Sequence, residues 1–449
     1  MRNIRRFQAD RSGNVAIIVA LVFLPILIIA GAAVDLARFE RARSILQDGV
    51  DRAALAGAAL TQTRPLAETV AQYMENVEFL ADTELTYSEQ SFLTRRDVEV
   101  TAVYPLPTTF LNLIGIGSLD VTAHGAATQS RMNVEISLVL DVSISMWETS
   151  GKSGNTRFKN LKLAAADFLD ALLTPETRSV TTISVVPFSG HVNMGKTMFN
   201  AMGVKRTNND NSCIDFSVAE YSATTLVTLL NRAQLPHFIG YTPDPRNNNP
   251  EGWVAGVEPA KGWWCPGEET SISYLSNDAA VLKSRINDFI LYSATGTHNG
   301  VKWGSMLLDP TSRGLVNTAI NAGITPEAAR GRPVDYSDEE TVKILVLMTD
   351  GGISAQNRPT SNYRYPDRLT TTPVSTEGTN GIYLQRACTA AKNNGIIVYT
   401  IGFEVPATKA SEMRDCATTV NHYYPVSGLD IRTAFQSIAS AIQSLRLTQ

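Results

Sequence analysis

Apolar residues change their spacing along this chain, and each change predicts a different element. Val15 to Val34 (VAIIVALVFLPILIIAGAAV) contains no charge. Twenty helical residues rise about 30 Å, the thickness of a hydrocarbon core. A cleaved signal peptide has a shorter apolar region of about 7–15 residues, although Ala30 to Ala32 imitates a cleavage site. Pro25 predicts a kink inside the span. Leu36, Phe39, Arg43, Leu46, Val50, Ala53, Gly57 and Leu60 then keep a 3-4 spacing, one stripe of a continuing helix. Two roles fit the stripe equally: a face packed on its own module, or a stalk and seam for self-association.

Leu66 to Phe79 keeps a helical period. Leu85 to Tyr87, Val98 to Tyr104 and Leu119 to Thr128 switch to alternation with β-branched residues, which predicts strands. The link PLPTTFLNLIGIGS holds a short helix from Thr108. A helix followed by a small antiparallel sheet makes an α+β module. No catalytic constellation appears in it.

From Asn133 the pattern changes again. VEISLVLD, TTISVVPF (Thr181–Phe188), VKILVLMTDGG and IIVYTIGF from Ile396 read as strands buried on both faces. Helices are predicted at Arg157 to Leu173, near Ile382 to Asn393, and at Asp430 to Leu445. Alternating strands and helices predict an α/β, doubly wound (Rossmann-like) sheet. The organisation is then a tail over 1–14, a transmembrane helix over 15–34, a helical stalk plus α+β module over 35–131, and a main domain over 132–449. That domain carries insertions at about 200–276 and 354–378, rich in Asn, Pro and Gly.

Composition narrows the classes. A chain of 449 residues exceeds one ordinary core. The net charge of −4 with scattered Lys and Arg excludes a nucleic-acid footprint. The four cysteines form no C-x-x-C pair and only five histidines are present, so a zinc site is not indicated. Arg2, Arg5, Arg6 and Arg11 precede the apolar run and favour a cytoplasmic amino terminus. Arg38, Arg41 and Arg43 follow it, so charge alone decides weakly. An even cysteine count favours an oxidising exterior for everything downstream.

Ligands of doubly wound sheets bind beyond the carboxyl ends of the strands. Two predicted strands end there in acids, Asp141 and Asp350. Asp141-Val-Ser143-Ile-Ser145 adds two hydroxyls from one tight loop. A Mg²⁺ ion wants hard oxygen ligands in octahedral array and keeps several waters; Mn²⁺ or Ca²⁺ accepts the same donors. With few direct carboxylates the ion stays electrophilic, so an open position accepts a carboxylate from a protein partner. D-x-S-x-S alone also fits an Asx- or Ser-stabilised turn. SGKSGNT (Ser150–Thr156) looks like the end of a phosphate loop, but the required Gly is Met146, so nucleotide binding is rejected.

DVSISM after one apolar strand and LMTDGG after a later one resemble the metal-ion-dependent adhesion site of von Willebrand factor type A domains. The resemblance implies one further hydroxyl ligand from SATGTHNGVKWGSMLLDP. Thr295 fits by its spacing to Gly300 and Trp303, with Thr297 the alternative, and His298 reads as a loop residue. DRSGNVAIIVAL, AAVDLAR, LQDGVDRAALAGAA, TTFLNLIGIGSLDVTAHGAAT and DIRTAFQSIASAIQSLRLTQ resemble TadE/TadG-like proteins of the tight adherence (Flp) pilus-assembly system. That resemblance implies a pilin-like α+β module and a single-pass protein of the bacterial inner membrane, its larger domain periplasmic or at the cell surface. Gly13 is not followed five residues later by Glu, so prepilin-peptidase cleavage is not indicated.

Four cysteines allow three connectivities. Cys213 with Cys265 would close the first insertion, and Cys388 with Cys416 would tie a late helix to the loop holding MRDC. Trp263 and Trp264 offer either a binding surface or local packing. The leading reading is a non-enzymatic protein that binds pilus-machinery partners or a surface target through the ion. The others are a purely structural pilus-base component, and a metal-dependent hydrolase, disfavoured because no base or nucleophile pairs with the site.

Overall fold

The computed structural model describes residues 13–60, 62–91, 95–130, 132–150, 153–237, 260–261, 264–362 and 371–445. The predicted tail before Gly13, Trp263, and the middle of each insertion lie outside these residues. The chain divides into two compact units, Met1–Arg131 and Met132–Gln449.

In the first unit, helix α1 (Gly13–Ala58) contains Pro25 within its length. Among the described residues it is the one helix long and apolar enough to cross a membrane, by length and composition. Helix α2 (Leu66–Met74) follows, shorter than the predicted Leu66 to Phe79. Strands β1 (Glu84–Ser91), β2 (Arg95–Pro107) and β3 (Ser118–Ser130) form an antiparallel meander. Leu46, Val50, Ala53 and Gly57 of the predicted stripe are buried, packed with Val98, Val100, Val121 and Ala123. This part of the helix therefore packs on its own sheet. Leu36 and Arg43 are exposed and Leu60 lies past the helix end, so the stripe is not one continuous seam. The buried line instead drifts through Gly31, Asp35, Ala42 and Leu46.

The second unit is built on a six-stranded sheet. Its strands are β4 (Asn133–Asp141), β5 (Thr181–Phe188), β6 (Ser273–Ser276), β7 (Thr341–Thr349), β8 (Ile397–Phe403) and β9 (Tyr423–Val426). Their order is β9-β8-β7-β4-β5-β6, parallel except for β6. Helices α3 (Arg157–Leu172), α4 (Ala279–Asp288) and α9 (Asp430–Leu445) cover one face through Phe158, Phe168, Leu282, Phe435 and Ile438. Helices α5 (Thr297–Met306), α6 (Arg313–Asn321), α7 (Glu377–Asn393) and α8 (Ala410–Cys416) cover the other through Trp303, Met306, Leu315, Leu384 and Met413. Both faces are therefore dry, which is why the central strands read as near-continuous apolar runs.

Three expectations change. The first insertion stops before Ser273, because Ser273–Ser276 joins the sheet as an edge strand. The loop after Asp350 contains a paired ribbon, Gln356–Pro359 with Thr371–Ser375. Helix α7 begins at Glu377, capped by the Thr376 hydroxyl, five residues before Ile382. Cys213 bonds Cys265 and Cys388 bonds Cys416, with Cα separations of 6.1 and 5.1 Å. Trp264 is buried beside the first disulfide, so its role is packing.

Candidate functional site

β4 and β7 are neighbours in parallel register, so Asp141 and Asp350 emerge at the same sheet edge. Asp141 is fully buried. Its Oδ1 accepts the Ser143 N–H at 2.8 Å and its Oδ2 accepts the Thr349 hydroxyl at 2.5 Å. The Ser143 and Ser145 hydroxyls lie 2.9 Å apart, and Ser145 donates to Asp350 Oδ1 at 3.0 Å. Four of the five residues named from sequence thus join in one run of polar contacts.

Thr295 comes from a loop laced to both sides of this run. Tyr292 N–H donates to Val142 O at 2.9 Å, and Gly296 N–H donates to Ser189 O at 2.6 Å. Thr295 N–H donates to Ser354 Oγ at 3.1 Å, while its carbonyl accepts Ser354 N–H at 2.9 Å. The loop is therefore pinned to the turn that follows Asp350. That turn needs glycine at Gly351, where φ is +90° and an added Cβ would strike Val405 at 2.5 Å. Thr297 opens helix α5, and its buried hydroxyl finds no hydrogen-bond partner among the described residues.

The electrostatics are those of two acids sharing a dry cradle. Burial, then the Asp350 charge, pushes the Asp141 carboxyl up to about 7, against the hydrogen bonds from Ser143 and Thr349. Burial also raises Asp350, opposed by Ser145 and Arg157. Arg157 lies 3.2 Å from Asp350 Oδ2 and 3.0 Å from both Glu404 Oε2 and Glu148 Oε2. Sequence reading missed Arg157, Glu404 and Thr349. Thr349 was visible beside Asp350 in LMTDGG. Glu404 stands 247 residues from Arg157, and no local pattern links them.

This donor set fits a hard divalent ion: two carboxylates, a serine pair within hydrogen-bond distance, and a threonine loop alongside.

His298 lies in the first turn of α5 and not in the loop expected from sequence. It is buried, with its ring centroid 5.4 Å from that of Tyr221 and 6.2 Å from that of Tyr383. Burial, then Arg358, pushes it down to about 3 from an ordinary 6.5. The unfolded chain therefore binds a proton below pH 6.5 that folded His298 refuses until about 3, so stability falls as pH drops through that window. The expected loss from about pH 7.5 to about pH 5 is about 2 kcal/mol at this residue. His298→Phe should flatten the acid dependence by that amount in urea unfolding at the two pH values. Identical slopes would mean that His298 charges without unfolding.

Residues 13–60 match the Tad family model, described as "Putative Flp pilus-assembly TadE/G-like". No curated protein matches the sequence. Among solved structures, the pilus adhesin SpaC from Lactobacillus rhamnosus GG is 10% identical with a TM-score of 0.37, covering 81% of this chain and 34% of that one. This chain thus spans about a third of that adhesin. The vWF domain of the type V pili tip protein Mfa5 from Porphyromonas gingivalis is 12% identical with a TM-score of 0.38, covering 70% and 97%. The PilB minor pilin from Streptococcus sanguinis is 15% identical with a TM-score of 0.35, covering 82% and 80%. Residues 13–60 are thus similar to the TadE/G-like model of Flp pilus assembly, and the larger unit is a doubly wound α/β domain on a six-stranded sheet.

Proposed function

We propose that this is a non-enzymatic envelope protein of Flp pilus assembly, anchored by α1, whose larger unit binds a protein partner through a divalent cation. Asp141, Ser143, Ser145, Thr295 and Asp350 would hold the ion, Mg²⁺ or else Mn²⁺ or Ca²⁺. The observation that carries the reading is the run from Asp141 through Ser143 and Ser145 to Asp350 at the carboxyl edge of the sheet. The buried acids raise each other's energy without a cation, and only Asp350 is met by Arg157. A bound ion supplies the missing charge and an electrophilic position for a partner carboxylate.

The first insertion and the ribbon after Asp350 border this edge, and they are the surfaces that would select the partner. The test is capture of envelope proteins by the full-length chain from detergent-solubilised membranes, with Mg²⁺ or with chelator. The expected result is a partner retained in Mg²⁺ and lost both with chelator and in Asp141→Asn. Equal capture under all three conditions would refute the metal bridge and leave the unit as a structural spacer.

A further inference from the structure

The link between β2 and β3 is built unlike a soluble loop. No charged residue occurs from Val100 to Leu119. Its tip is a single 3-10 turn, Leu111–Ile114, ended by Gly115 at φ +89°. Phe110, Leu113, Ile114 and Ile116 stand exposed at 38, 75, 51 and 41%. Such a cluster in water is costly and marks an interaction surface.

The loop is clamped to α1 where the charge-free run ends. Asp35, buried at 1% exposure, accepts the N–H groups of Thr109 at 3.0 Å, Phe110 at 2.7 Å and Leu111 at 2.8 Å. Arg38 donates to Thr109 Oγ at 2.8 Å. The Phe110 ring lies on Gly31, where an added Cβ would fall 2.4 Å from Cγ. Gly31 is four residues inside the run, about 6 Å along the axis. That depth is within the 5–10 Å or so to which interfacial segments sink.

The backbone is also prepared for lipid, where unsatisfied polar groups are not tolerated. The N–H of Thr108 donates to Gly117 O, and those of Thr109, Phe110 and Leu111 to Asp35. Those of Leu113, Gly115 and Ile116 donate to carbonyls inside the turn.

We propose that Thr108–Gly117 is a membrane foot that sinks Phe110, Leu113, Ile114 and Ile116 into the bilayer interface beside α1. It gives the small module a second attachment and fixes its height and rotation on the membrane. The inference rests on the reading that Val15–Val34 spans the bilayer.

The test uses the full chain in phosphatidylcholine nanodiscs, with an environment-sensitive fluorophore on Leu113→Cys, Leu27→Cys or Gln90→Cys in turn. The native cysteines are all disulfide-bonded, so labelling is selective. Phosphatidylcholine carrying a nitroxide near the headgroup is the quencher. The expected result is that Leu113→Cys and Leu27→Cys lose most of their fluorescence and Gln90→Cys does not. Quenching at Leu27 with Leu113 as unquenched as Gln90 would overturn the foot and leave the anchor standing. Quenching at neither would overturn the anchor and the foot together. Disulfide cross-linking of Leu113→Cys between copies without quenching would assign the patch to self-association and also overturn the proposal.

Discussion

Mg²⁺ added to the metal-free chain is expected to stabilise the larger unit against urea, and Asp141→Asn is expected to remove that response. A ligand that binds only the folded state adds about 2.7 kcal/mol at a hundredfold excess over its Kd. In wild type the ion meets two buried acids, Asp141 and Asp350, that raise each other's energy. In Asp141→Asn one charge is gone and so is the larger part of the attraction. The carboxamide oxygen still accepts the Ser143 N–H, and Thr349 Oγ, which already accepts Gly351 N–H at 3.0 Å, has capacity to accept from the new NH₂.

The substitution should therefore keep the fold, and without metal it should raise stability at neutral pH, because it removes a buried charge that repels Asp350. Urea midpoints of both proteins, each with and without Mg²⁺, give the four values needed. Unequal signs, more stable without metal and unresponsive to it, identify a site built to take a cation. A loss of stability in Asp141→Asn without metal would mark Asp141 as an ordinary structural acid. Arg157→Gln gives a graded companion: with the guanidinium removed from Asp350, Mg²⁺ should bind more tightly in calorimetric titration.

Much of this arrangement was legible in the sequence for a definite reason. β4 and β7 are buried on both faces, so each reads as an apolar run that must stop where water begins. Asp141 and Asp350 fall at those stops. The short-range grouping of Asp141, Ser143 and Ser145 was equally plain, since one turn supplies all three. What sequence did not reveal depends on long-range packing. Arg157 reaches Glu404 only because α3 and the end of β8 meet across the sheet edge. Of the two roles open to the α1 stripe, packing on its own module is the one that Leu46, Val50, Ala53 and Gly57 take, while Leu36 and Arg43 leave that line because a 3-4 spacing drifts off one face over so long a helix. Only long-range packing decides which face turns inward: the β-sheet takes Ala42 and the Thr109–Leu111 link takes Asp35, while Leu36 and Arg43 turn out. Ser273–Ser276 hid inside a Pro- and Gly-rich insertion because an edge strand of four residues leaves too few positions to show a period.

The largest expected change in stability lies at the opposite end of the same strands. Glu135 on β4 is 1% exposed and Lys343 on β7 is 5% exposed, and the two are register partners. Glu135 Oε2 lies 2.5 Å from Lys343 Nζ, while Oε1 accepts the Val334 N–H at 3.0 Å and is met by Arg332 at 3.4 Å. Burial pulls the Lys343 ammonium down from its ordinary range, and the Glu135 charge opposes this. Removing Lys343 leaves the buried Glu135 charge only the more distant Arg332 and the Val334 N–H, and breaking such a buried pair costs about 3–5 kcal/mol. Lys343→Met should therefore destabilise the larger unit by that amount in urea unfolding. Adding Glu135→Gln should recover most of the loss, because Gln stays neutral and its Oε1 still accepts the Val334 N–H. Six residues of strand, about 20 Å, separate Glu135 from Asp141, so Mg²⁺ affinity should be unchanged in the double variant. A double variant as unstable as Lys343→Met alone would show that the cost was lost packing and not a stranded charge. A weakened response to Mg²⁺ would show that the two ends of β4 are coupled through the sheet, and the acidic edge could then no longer be treated as a site independent of the core beneath it.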